Sequence, residues 1–99
     1  MRIPTTVGKH RRAELRSPDP AANPYLAFAL MIYAGLDGIK RDLPLPPSSD
    51  INLYEATEDV LKQYDRLPES LAQAHETAKR SSFIKEHIPA QILEIICGR

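Results

Sequence analysis

The sequence predicts an α+β chain: a short β-hairpin, a buried helix, and two or three further helices. Three observations carry this. Residues 2–17 read as two short strands about a turn near Gly8, and in the second of them charged Arg12, Glu14 and Arg16 alternate with apolar Ala13 and Leu15. Asn23-Pro24 opens a long apolar run at helical length. Beyond residue 52, apolar residues recur at helical spacing.

The hairpin is placed at residues 2–17 because Gly8 is the residue best able to take the positive φ of a tight turn. On its second strand Arg12, Glu14 and Arg16 fall on one face and Ala13 and Leu15 on the other, since side chains alternate with period two. A turn centred near Gly8 sets Arg2 opposite Glu14 on the charged face, and a slip of one residue would reverse this. Ser17-Pro18-Asp19-Pro20 then forms a rigid spacer.

Residues 23–41 are the core helix, with Asn23 as N-cap and Pro24 at the first helical position. From Tyr25 to Ala34 no side chain is charged or an amide, so the helix is apolar on every side and asks to be buried on every side. It is too short to cross a membrane, which takes about 17–25 apolar residues. The elements that follow hardly suffice to enclose it, and Met1 leads at once into strand-like Arg2-Ile3-Pro4. Both features predict a piece of something longer.

Residues 42–51 are a proline-rich loop. In the helical region 52–99, Ser49 or Asp50 is expected to cap a turn through Asn52-Leu53-Tyr54, and Thr57 to open another through Leu61. An amphipathic helix follows Pro68, with Leu71, Ala74 and Ala78 on one face and Lys79-Arg80 at the end that suits the helix dipole. A last helix begins near Pro89 and carries Ile92, Leu93, Ile95 and Ile96.

Composition narrows the function. With 99 residues, 42% apolar and 26% charged, the chain has room for one small domain. Its formal charge is zero, so no global field draws it to nucleic acid or an anionic membrane. Cys97 is the single cysteine, which excludes an internal disulfide and fits a reducing compartment; with no secretory signal, the expected location is cytoplasmic.

Charge is nonetheless uneven. Arg2, Lys9, Arg12, Glu14 and Arg16 gather at the start, around one carboxylate. A glutamate offers a hard oxygen to Mg2+ or Mn2+, and guanidinium groups match the oxygens of phosphate or carboxylate. The plainer alternative is that Glu14 pairs with its neighbours on a solvated face.

Residues 11–29, Arg-Arg-Ala-Glu-Leu-Arg-Ser-Pro-Asp-Pro-Ala-Ala-Asn-Pro-Tyr-Leu-Ala-Phe-Ala, followed by Ala34-Gly35-Leu36-Asp37-Gly38-Ile39, closely resemble the C-terminal catalytic region of the glutamine synthetase family. Arg2-Ile3-Pro4, Asn52-Leu53-Tyr54 and residues 67–74 fit the same pattern. The resemblance implies a ligase that phosphorylates glutamate with ATP and lets ammonia displace the phosphate, assisted by two divalent ions, Mg2+ or Mn2+. It implies that Glu14 is a metal ligand, that Arg16 holds glutamate or its acyl phosphate and so acts in catalysis, and that Arg2, Lys9 and Arg12 contact ATP. It also implies that the rest of the synthetase, or further copies, complete the site. Ala13 and Ser17 depart from the larger apolar residues of the family, and His10, His75 and His87 do not stand where its metal-binding histidine does. Two other readings compete: a small interaction module that docks on a partner through its apolar helix, and a nucleotide-binding regulator that uses the basic hairpin without catalysis.

Overall fold

The structure, a computed structural model, describes residues 1–49, 51, 52 and 54–98. Among these it is mostly helical: α1 (Pro24–Lys40), α2 (Glu58–Leu61), α3 (Leu71–Arg80), α4 (Ser82–His87) and α5 (Ala90–Cys97), preceded by a 310 turn at Gly8–His10. The chain divides into two compact units, Met1–Ile39 and Lys40–Arg99.

In the first unit the predicted hairpin shrinks to one antiparallel bridge, Arg2 with Glu14. Both backbone bonds are made, Arg2 N–H to Glu14 O at 2.8 Å and Glu14 N–H to Arg2 O at 2.7 Å. Pro4 accounts for the failure to extend. In an antiparallel register the next mutually bonded pair would be Pro4 with Arg12, and proline has no N–H to give. Gly8 does turn the chain, with φ of 62°, and Arg11 N–H closes the turn on Gly8 O at 3.2 Å.

Helix α1 starts where the sequence places it. The Asn23 side-chain oxygen accepts from Tyr25 N–H at 3.0 Å and Leu26 N–H at 3.3 Å, so two donors that the helix leaves without partners are capped. Its predicted burial fails: no residue of α1 is buried. Tyr25, Phe28, Ile32, Leu36 and Ile39, spaced three or four apart and hence on one face, are all exposed, Phe28 at 61% and Ile32 at 63%. Periodicity reports that a face is apolar and says nothing of what covers it.

In the second unit, residues 43–49 of the proline-rich segment are without regular structure. Asn52 caps the turn that follows, its side chain accepting from Tyr54 N–H at 3.1 Å; Asp50 and Leu53 lie outside the described residues. Helix α3 is capped by Ser70, whose hydroxyl accepts from Gln73 N–H at 3.2 Å, while the Gln73 side chain accepts from Glu69 N–H at 2.8 Å. This is a near relative of the capping box, displaced by one residue on its return arm. Four helices follow α1 rather than two or three, because Ser81 ends α3 and caps α4 through Ile84 N–H at 3.2 Å. Helix α3 packs on α4 and α5, and Ile88 and Cys97 are the buried apolar side chains. No helix is long and apolar enough to cross a membrane among the described residues.

Candidate functional site

The backbone pairing of Arg2 and Glu14 brings two distant segments side by side, and the alternation along residues 12–16 turns Arg12, Glu14 and Arg16 to one face. Their side chains meet at one carboxylate. Glu14 Oε2 accepts from Arg2 Nη1 at 3.3 Å and from Arg16 Nε at 3.0 Å, with Arg16 Nη2 in ion-pair contact at 2.9 Å; Oε1 accepts from Arg12 Nη2 at 3.1 Å. Arg12 also donates from Nη1 to His10 O at 3.3 Å, which ties its guanidinium to the end of the 310 turn.

The Glu14 side chain is 23% exposed, whereas those of Arg2, Arg12 and Arg16 are 56%, 54% and 68% exposed. The hydrogen bond from Arg16 is the largest influence on the Glu14 carboxyl and holds it below its ordinary value of 4.5. Desolvation opposes this, and the charge of Arg16, the hydrogen bond from Arg12 and the charge of Arg2 add to it. Three guanidinium groups around one carboxylate leave the cluster with two net positive charges. Such a cluster suits an anion with planar or tetrahedral oxygens.

Four of the five residues singled out in the sequence therefore come together. Lys9 does not: it sits on the exposed 310 turn and is not among the groups that reach Glu14. The metal assignment is partly met by the chemistry of Glu14. A carboxylate has about four lone-pair directions, and Oε1 keeps one that no protein donor uses, so Glu14 fits as a single hard oxygen ligand. It is not a complete ion site. Among the described residues no group of three histidine, cysteine, aspartate or glutamate side chains stands together, and His10 is exposed while His75 and His87 are half-buried on α3 and α4.

Sequence reasoning missed Pro4, whose lack of an N–H leaves Arg2 on a single bridge, and His10, whose carbonyl anchors Arg12. Proline in the first strand was a usable signal; a backbone carbonyl leaves none. A groove between α3, α4 and α5, lined by Lys79, Lys85, Ile88 and Leu93, was not signalled either.

The geometry thus defines a cluster of three guanidinium groups around one carboxylate, built on one backbone bridge and followed by a capped apolar helix. The family described as "Glutamine synthetase, catalytic domain" matches residues 1–98. The glutamine synthetase of Methanosarcina mazei is 43% identical over 102 residues, covering 100% of this chain and 23% of that protein. That of Bradyrhizobium diazoefficiens is 46% identical over 86 residues, covering 85% of this chain and 18% of its own length, and that of Thermus thermophilus is 43% identical over 88 residues, covering 87% and 20%. No solved structure matches. The chain belongs to the glutamine synthetase catalytic-domain family. It spans about a fifth of the length of these curated relatives, and the matches lend no support to a stand-alone docking or regulatory module.

Proposed function

We propose that this chain serves as part of a glutamate–ammonia ligase, contributing anion contacts and one metal ligand to a site completed by other segments or other copies. In that reaction a side-chain carboxylate oxygen of glutamate attacks the terminal phosphorus of ATP, and the bond from that phosphorus to ADP breaks. Ammonia then attacks the acyl carbon, loses a proton, and expels phosphate to leave glutamine. Charge builds on phosphoryl oxygens in the first step and on the acyl oxygen in the second. Fixed cations lower the barrier most when they are aimed at such oxygens before the reaction begins.

One observation carries the reading: Arg2, Arg12 and Arg16 converge on Glu14 with donors still free for a second acceptor. Arg16 is assigned to glutamate or its acyl phosphate, and Arg2 and Arg12 to the nucleotide. Lys9 is assigned to the nucleotide on family resemblance alone. Glu14 would hold a divalent Mg2+ or Mn2+ together with ligands from elsewhere, and that ion would neutralise phosphate charge. The cytoplasm is the proposed location, and an oligomer the proposed state.

The test is kinetic and uses the complete enzyme that contains this segment. Arg16→Lys should lower kcat by about a hundredfold, the order found when one donor to developing negative charge is lost, because an ammonium cannot reproduce a two-pronged contact. Glu14→Gln should lower turnover with partial relief at high Mn2+. Unaltered kinetics in both variants would overturn the assignment.

A further inference from the structure

What keeps three exposed, like-charged side chains pointing at one place is not packing. Arg2, Arg12 and Arg16 are each more than half exposed, and they arrive from two segments joined by one backbone bridge. Long exposed side chains lose rotamer freedom when held in one geometry, and mutual repulsion adds to the tendency to disperse. Arg2 and Arg16 make their side-chain hydrogen bonds to Glu14 alone, and Arg12 is shared between Glu14 and His10 O. The carboxylate is the common point.

Donor accounting shows what remains. A guanidinium carries five N–H donors. Arg2 and Arg16 each spend one of them on Glu14, and Arg12 spends one on Glu14 and one on His10 O. Most donors stay available, on groups already gathered around one oxygen pair. We propose that Glu14 is a positioning residue: its carboxylate gathers Arg2, Arg12 and Arg16 into one receptor that takes a polyphosphate anion through their remaining donors, with no divalent ion required. The inference rests on the reading of these arginines as anion contacts, and adds to Glu14 a role separate from metal ligation.

The two roles, and simple electrostatics, predict different signs. Glu14→Gln removes a negative charge beside the anion site, so electrostatics alone would tighten anion binding. Loss of a metal ligand would leave metal-free binding unchanged. Loss of positioning weakens it.

The decisive measurement is calorimetric titration of the 99-residue chain with inorganic tripolyphosphate in EDTA at low ionic strength, where screening is least. The expected result is that the unaltered chain binds and that Glu14→Gln binds about threefold more weakly, the scale of an exposed ion-pair network. NMR of the arginine Nε–H groups without ligand should show a distinct Arg16 signal that moves to the position of free arginine in Glu14→Gln, which a role confined to metal binding would not produce. If the glutamine variant loses helical circular dichroism, Glu14→Asp replaces it; it keeps the charge one methylene short and is expected to bind more weakly than the unaltered chain. Equal or tighter binding by the variant would overturn the proposal, as would failure of the unaltered chain to bind. Neither failure would touch the kinetic effect of Arg16→Lys in the complete enzyme, so the functional reading stands or falls separately.

Discussion

Arg2 and Glu14 are joined twice: through a reciprocal pair of backbone hydrogen bonds at 2.8 and 2.7 Å, and through a guanidinium–carboxylate contact at 3.3 Å. The same residue that fixes the register also collects the charges. Register and charge cluster should therefore respond together to any change that separates these two segments.

The first prediction concerns protonation. Because the folded-state value of Glu14 is lowered, the cluster's contribution is fully present above its ordinary value of 4.5 and is lost as pH falls through the lowered one. Carboxyl 13C shifts should therefore show Glu14 titrating below its ordinary value of 4.5. Arg16→Ala should raise that midpoint more than Arg12→Ala or Arg2→Ala, since Arg16 is the largest influence. An equal response to all three substitutions would contradict the geometry.

A second prediction tests the cap of α1. Asn23→Ala strips the acceptor from Tyr25 and Leu26 N–H and should cost about 1 kcal/mol locally, so amide exchange in the first two turns should speed up by roughly fivefold. Asn23→Asp keeps an oxygen in place and should leave exchange close to that of the parent chain. Exchange in α3, capped independently by Ser70, is the internal reference.

The exposed stripe of α1 leads to the third. Tyr25, Phe28, Ile32, Leu36 and Ile39 form a contiguous apolar face, and faces of this kind drive association. Sedimentation of the 99-residue chain at micromolar concentration should show species larger than a monomer. Phe28→Glu with Ile32→Glu should shift the distribution toward monomer, and a clean monomer in the parent chain would count against the prediction.

The fourth is that the 99 residues alone form no glutamine from glutamate, ammonia and Mg-ATP. Phosphoryl transfer needs both substrates and the metals fixed in line, and Glu14 alone is not an ion site among the described residues. Within a complete enzyme Lys79→Ala, on α3 and paired with Glu76 at 3.7 Å, should leave kcat and KM near the parent values. Glutamine production by the purified chain, free of contaminating enzyme, would refute this.

The parts of the molecule that were legible in the sequence are those decided by neighbouring residues. Asn23-Pro24 marked a helix start because cap and first turn are adjacent, and Gly8 marked a turn because few other residues take its φ. Period two put Arg12, Glu14 and Arg16 on a face that the structure keeps. What failed depended on more distant or finer terms. The hairpin was over-extended because a missing donor at Pro4 matters only once the register is known. Burial of α1 was inferred from composition, although burial belongs to partners. Helix α4, six residues long, is too short to show a period.

Pro4 carries a consequence for how this chain behaves in company. An extended segment with consecutive free N–H and C=O groups is a template on which another molecule can add a strand, and this one ends in exposed Ile3 and Val7. Pro4 shares the inner edge with Arg2, so the donor it lacks would have faced Arg12, and the edge that faces away keeps the N–H groups of Ile3 and Thr5 for a strand from another molecule. The interruption that stops the hairpin after one bridge therefore gives no protection against pairing along its outer edge.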